Sequence, residues 1–187
     1  MRILAVSGSL RAGSHNTSLL RAAVDAAPEG VEVELFDPSR IADLPVYDQD
    51  LDTGDVPRSV QSLREAWATA DAILFATPEY NGSVPGGLKN AVDWASRPHR
   101  TSALWGKPVV VIGASSGMYG AVWAQADLRK ALGVAGARVA EAEIAVGRAG
   151  ERFDEAGRLI DEGLKEELRE ALDALAGEVT PIELVAA

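Results

Sequence analysis

Short apolar runs alternate along the chain with segments whose apolar positions recur at helical spacing, and this alternation organises the whole sequence. Ile3–Val6 is the first run; a turn rich in glycine and serine follows, and then Leu19, Leu20, Ala23, Val24 and Ala27 share one helix face. Val31–Leu35 alternates strictly and predicts a second strand. After an irregular stretch rich in Asp and Pro from Asp37 to Pro57, the positions Val60, Leu63, Trp67 and Ala70 mark a second helix. Ala72–Ala76, Val109–Gly113 and Val139–Val146 predict the remaining strands. Between them lie a helix carrying Leu88, Ala91, Val92 and Ala95 and another, from about Ala121, carrying Leu128, Ala131 and Leu132. A last helix carries the stripe Ile160, Leu164, Leu168, Leu172 and Leu175, and the tail over 178–187, which contains Thr180-Pro181, is expected to be irregular.

Five strands alternating with five helices predict a parallel sheet with helices on both faces. Segments 3–6, 72–76 and 109–113 are continuously apolar, as strands buried on both faces must be, whereas 31–35 and 139–146 interleave glutamates and suit the edges. Strands one, three and four are therefore expected inside, with two and five outside. That is the order 2-1-3-4-5 of a doubly wound, five-stranded, flavodoxin-like α/β sheet, which binds ligands beyond the carboxyl ends of its strands. No internal repeat or linker divides the chain, so residues 1–187 read as a single domain.

Composition narrows the chemistry. The chain has 187 residues, 47% hydrophobic and 25% charged, enough for one good core. Its 18 basic and 28 acidic residues give a net charge of −10, which argues against binding a phosphate backbone, so no nucleic-acid partner is expected. The absence of cysteine excludes disulfides and thiolate ligands, and two histidines, His15 and His99, give no basis for a metal site. No run of about 18 apolar residues is present, so no membrane association is expected, and the reading is a soluble, cytoplasmic protein. Residues 151–187 hold 11 acids against 4 bases, which suits a solvated face on the last helix more than a docking surface.

Three loops should meet at the ligand edge. Ser7-Gly8-Ser9-Leu10-Arg11-Ala12-Gly13-Ser14-His15-Asn16-Thr17 follows the first strand and runs into the first helix. Its small residues let main-chain N–H groups approach an anion, the helix N-terminus adds partial positive charge, and Arg11 offers a fixed fork to phosphate oxygens. The loop lacks both the P-loop lysine motif and the GxGxxG spacing. A plain capped turn, with Ser14 or Asn16 as N-cap, is the competing reading. After the third strand, Thr77-Pro78-Glu79-Tyr80-Asn81-Gly82-Ser83-Val84-Pro85-Gly86-Gly87 places an aromatic and two amide or acid side chains at a strand end, as a flat heterocycle with a polar rim requires. Tyr80 could equally be a packing residue, Asn81-Gly82 an ordinary turn, and Glu79 a local cap. Ala114-Ser115-Ser116-Gly117-Met118-Tyr119-Gly120 follows the fourth strand and would complete a slot.

Together these loops resemble the NADPH-dependent FMN reductase family, flavodoxin-like reductases of azobenzenes, quinones and chromate. The matching residues are Gly8-Ser9-Leu10-Arg11 with Ser14 and Asn16; Pro78-Glu79-Tyr80-Asn81-Gly82-Ser83 with Pro85-Gly86 and Leu88-Lys89-Asn90-Ala91-Val92-Asp93-Trp94; and Ser115, Gly117 and Gly120. The resemblance runs in register from about residue 2 to 146 and is most specific in the second segment. It implies that Ser9, Arg11, Ser14 and Asn16, with Thr17 beside them, hold the FMN phosphate. By the same resemblance Pro78, Glu79, Tyr80, Asn81, Gly82 and Ser83 hold the isoalloxazine, and Ser115, Ser116, Gly117 and Gly120 flank the ring system. The chain departs from the family at Ala121, where relatives often carry a second glycine.

The activity so implied is hydride transfer from NADPH or NADH to FMN and onward to a quinone, azo compound, metal oxyanion or flavin as small-molecule acceptor. The cofactor carries that chemistry, so no catalytic side chain is named. A flavodoxin-type electron carrier and a non-catalytic nucleotide- or partner-binding module are the alternatives. Arg97-Pro98-His99-Arg100 could meet the 2′-phosphate of NADPH or be ordinary exposed loop residues, and His15 reads as an exposed neighbour of the phosphate loop. Trp94 projects away from the stripe of its own helix at 100° per residue and is expected at a subunit contact of a homodimer or homotetramer, unless the 37–57 loop covers it. Tyr47-Asp48-Gln49-Asp50, in that loop, would serve as a lid or subunit contact.

Overall fold

The three continuously apolar runs lie side by side at the centre of one parallel sheet. The computed structural model describes residues 1–179. Its elements run β1 (Arg2–Ser7), α1 (His15–Asp25), β2 (Glu32–Leu35), α2 (Ser39–Ala42), α3 (Arg58–Thr69), β3 (Ala72–Thr77) and α4 (Gly86–Ala95). They continue through β4 (Pro108–Ala114), α5 (Val122–Val134), β5 (Arg138–Val139), β6 (Ala145–Val146) and α6 (Glu162–Glu178), with short 3₁₀ turns at Gln49–Leu51 and Ala149–Glu151. The order is β2-β1-β3-β4-β5, with β6 also paired to β4. This is the expected flavodoxin-like sheet with one strand more.

Alternation along each strand sends neighbouring side chains to opposite faces and builds two cores. Leu4, Val6, Phe75 and Val111 pack with Trp67, Leu88, Trp94 and Leu128 from α3, α4 and α5. Ile3, Ala5, Leu74 and Ile112 pack with Leu19, Leu20, Leu168 and Leu172 from α1 and α6.

Four expectations are corrected. The run 139–146 does not form one strand: β5 and β6 pair separately with β4, and 140–144 between them is irregular. Arg129 of α5 explains the break, since its guanidinium donates to Val111 O at 2.7 Å and Ala142 O at 2.8 Å, replacing ladder bonds with a side chain. Ile160 lies outside the last helix, which begins at Glu162 behind the N-cap Asp161, and is exposed. Trp94 is fully buried, because its indole Nε1 donates to Pro45 O at 2.8 Å and the Tyr47 ring meets it edge-on at 4.8 Å. The 37–57 loop of the same chain supplies that cover, so Trp94 gives no argument for a subunit contact. Of the expected irregular tail, Glu178 is helical, and 180–187 lies outside the described residues.

Candidate active site

The ends of the three central strands are level. Ser7 pairs with Ala76, and Thr77 pairs with Gly113. Neighbouring strands are about 4.8 Å apart, so the three loops leave the sheet within reach of one ligand.

The first loop is held from below by Ser7, whose hydroxyl accepts from Thr17 Oγ1 at 3.0 Å and from the Ser9 main-chain N–H at 3.3 Å. Ser14 caps α1, its Oγ accepting the Thr17 N–H at 3.3 Å. The main-chain N–H groups from Leu10 to Ser14 meet no acceptor among the described residues. Arg11 is exposed beside them, and Ser9, Arg11 and Thr17 line a cavity of about 410 Å³ with Arg21. Free N–H groups, a helix N-terminus and a guanidinium form a donor set for an anion, and they fit a phosphate monoester. Asn16 is buried and has both ends of its amide on Ala114, donating to O and accepting from N at 2.9 Å each. It fixes the first loop to the third. His15 stacks on Phe153 with ring centroids 5.6 Å apart, so it is half-buried and not the exposed neighbour expected. Burial first, and the Arg11 charge second, hold its imidazole below the ordinary value.

The second loop folds back tightly. Tyr80 N donates to Ser83 O at 3.1 Å and Ser83 N to Tyr80 O at 3.2 Å, with Asn81 at φ 54° and Gly82 at φ 72°. Positive φ at both central residues is a type I′ turn, which the Asn-Gly pair favours. Two side chains of this loop reach α5. Glu79 Oε2 accepts the N–H groups of Trp123 at 3.1 Å and Ala124 at 3.2 Å, capping that helix, and Ser83 Oγ donates to Asp127 Oδ2 at 2.6 Å. Pro78 is buried, while Tyr80, Asn81 and Gly82 are exposed at the mouth.

The third loop is sealed from behind. Ser115 Oγ accepts the Gly117 N–H at 3.1 Å, Arg148 N donates to Gly117 O at 2.8 Å, and Ser115 N donates to Val146 O at 3.0 Å. Ser116 and Gly117 remain exposed. Gly120 and Ala121 both take left-handed conformations, φ 56° and 63°. A Cβ on Gly120 would lie 2.3 Å from the Ala145 carbonyl carbon, so only glycine fits there. At Ala121 a side chain occupies the left-handed region, which a glycine would adopt without strain.

Four residues that sequence reading missed support these loops. Gln125 Nε2, buried, donates to Gly120 O at 2.9 Å and Ile144 O at 3.2 Å, and Arg129 pins 140–144 as described. Tyr119 and Trp123 meet edge-on at 5.1 Å, and both are more than half exposed, as are Tyr80 and Met118. A polar pair four residues apart on a helix followed by a glutamate-rich run was the available signal for Gln125 and Arg129. A separate cleft of about 580 Å³ lies between α1, residues 154–162 and α6, away from the three loops. Its cations are spent locally, Arg158 on Asp154, Lys165 on Glu162 and Arg169 on Glu166. Among the described residues no three His, Asp or Glu side chains gather as metal ligands.

The NADPH-dependent FMN reductase family model matches residues 1–151. The chain belongs to that family. An NAD(P)H-dependent FMN reductase of Pseudomonas aeruginosa is 41% identical over 176 residues, covering 94% of this chain and 93% of the relative. A quinone reductase of Escherichia coli K12 is 39% identical over 184 residues, 96% and 92% of the two chains. Among solved structures, the flavoenzyme NAD(P)H:(acceptor) oxidoreductase FerB of Paracoccus denitrificans superposes with a TM-score of 0.83 at 36% identity, over 95% of this chain and 96% of that one. Membership makes this FMN reductase relative an oxidoreductase with FMN as cofactor and NAD(P)H as electron donor, the activity that the loop motifs implied.

Proposed function

We propose that the protein is an NAD(P)H:quinone-type reductase in which the first loop holds the FMN phosphate and the second and third loops hold the ring system. The observation that carries this is the unengaged row of N–H groups from Leu10 to Ser14 beside Arg11, at the N-terminus of α1. Ser9, Arg11, Ser14 and Thr17 would meet the phosphate directly, and Asn16 would act through the loop it fixes to Ala114. Within Pro78 to Ser83, the N–H groups of Glu79, Asn81 and Gly82 would serve as main-chain donors to the rim of the isoalloxazine, with Glu79 and Ser83 holding that loop on α5, and Ser115 to Gly120 would close the other side. Bound FMN supplies the hydride and electron chemistry. The chain's part is to orient the ring, polarise its rim and leave one open face for donor and acceptor in turn.

The same reading takes a homodimer or homotetramer in the cytoplasm, where NAD(P)H is abundant. Its support is no longer Trp94 but the exposed aromatic rim of Tyr80, Tyr119 and Trp123 beside the loops, an unusual expanse of large apolar surface for an isolated chain. Steady-state kinetics with NADPH and a benzoquinone test the reductase reading. Parallel double-reciprocal lines are expected from one open face; intersecting lines would require separate donor and acceptor sites.

A further inference from the structure

The cavity of about 410 Å³ beside the first loop has room for more than a phosphate, since small-molecule sites run from on the order of 300 to 1,000 Å³. It lies between the first loop, α1 and the start of α2, beyond the ends of the paired strands β1 and β2. The second and third loops leave the sheet from β3 and β4 instead. The site of the ring system and this cavity are therefore on opposite sides of the first loop.

Three kinds of chemistry line the cavity. Arg11 and Arg21 are both exposed and form no ion pair among the described residues. Arg21 stands one helical turn after Thr17 on α1, and side chains on a helix tilt toward its N-terminus, which carries the guanidinium back toward Arg11. Two uncommitted guanidiniums in one cavity of a chain with net charge −10 suit two phosphates better than one. Asp37 follows β2 closely, and its Oδ1 accepts the Ser39 N–H at 2.9 Å. That bond first, and the Ser39 hydroxyl second, hold the carboxyl below its ordinary value. A fixed carboxylate repels phosphate but accepts from hydroxyl groups, and in dinucleotide folds a carboxylate about twenty residues after the phosphate loop reads the ribose. Leu10, half exposed, forms an apolar wall with Pro38 and Ala42 that suits the face of a purine.

A phosphate monoester on the first loop uses neither Arg21, nor Asp37, nor this wall. Phosphate, ribose and base together make an adenylate. The adenylate of NAD(P)H suits the cavity less well, because its nicotinamide must meet the ring on the β3 and β4 side. We infer that the cavity takes the adenylate half of flavin adenine dinucleotide, with Arg21 on the second phosphate and Asp37 on the ribose hydroxyls, so that the protein binds FAD as well as FMN. The inference rests on the flavin site of the reductase reading and extends it.

Calorimetric titration of the flavin-free protein with FAD and with FMN tests it. FAD should bind at least as tightly as FMN. Arg21→Ala should weaken FAD roughly 10- to 150-fold, and Asp37→Asn about tenfold. FMN, which reaches neither residue, should bind both variants as before and so shows that they are folded. FAD binding to the unaltered protein more weakly than FMN by about tenfold or more, or FAD binding unchanged in both variants, would overturn the inference. Equal losses of FAD and FMN in Arg21→Ala would also overturn it, by placing that guanidinium on the first phosphate. So would a raised KM for NAD(P)H in the FMN-loaded variants with FAD affinity unchanged, because the adenylate would then be the electron donor's. In each of these cases FMN is still bound and the reductase reading stands; a protein that binds neither flavin would end both.

Discussion

Asn16 and Ala114 exchange two hydrogen bonds of 2.9 Å each, side-chain amide against main chain, and so tie the loop after β1 to the end of β4. Both partners are buried. Asn16→Ala would leave the Ala114 N–H and carbonyl without partners, at a cost of about 2–4 kcal/mol. Urea denaturation measures this, and because Asn16 acts by position, FMN and riboflavin should both bind more weakly in the variant. A stability loss under about 0.5 kcal/mol would mean that water replaces the amide and the tie is dispensable.

Arg11 behaves differently, because it is exposed beside the unengaged N–H groups and makes no hydrogen bond or ion pair among the described residues. Arg11→Ala should weaken FMN roughly 10- to 150-fold, the worth of a hydrogen bond to a charged group, and leave riboflavin nearly unchanged. Flavin fluorescence titration with the two ligands reads the difference. Equal losses would move the phosphate away from Arg11.

Ala121 sits at φ 63° with its Cβ buried. The left-handed conformation costs a non-glycine residue about 1–2 kcal/mol, part of which glycine returns as unfolded-chain entropy. Ala121→Gly should therefore raise stability by roughly 0.5 kcal/mol, and Ala121→Val should lower it by more than about 1 kcal/mol, since β-branching worsens the strain. Thermal melting of the two variants checks the order, and identical melting temperatures would contradict it.

His15 links stability to pH. Its imidazole is held below the ordinary value by burial and by Arg11, so the unfolded chain takes up that proton first as pH falls. Stability should be fully present above about pH 6.5, and should decline as pH falls toward the lowered value. Asp37, Asp154 and Asp161, held low mainly by main-chain hydrogen bonds, act only in a more acidic window. His15→Gln should flatten the decline that begins below about pH 6.5 without changing the steeper acid limb. An unchanged profile would assign the decline to other groups.

The sheet order and the three converging loops were legible because each rests on local pattern: continuous apolar runs for β1, β3 and β4, and small or turn-forming residues at their ends. What pattern could not reveal is where long side chains reach. Trp94 looks exposed by helix geometry alone, yet Pro45 and Tyr47, almost fifty residues earlier, close over it, and Asn90 one turn before accepts the Tyr47 N–H at 2.8 Å and donates to Pro45 O at 2.9 Å. The break between β5 and β6 depends on the Arg129 guanidinium, which no propensity of residues 139–146 encodes. Glu79 and Ser83 were legible as residues of the loop after β3, and the structure shows what only tertiary contact could, that their side chains brace α5.

Anaerobic mixing of the FMN-loaded protein with NADPH or NADH tests the central claim most directly. The account predicts that the protein retains one FMN per chain through desalting and that the visible flavin band is lost on mixing, then restored by a quinone. A flavin that stays oxidised with both nicotinamides while a chemical reductant bleaches it, or a protein that retains no FMN, would contradict the account.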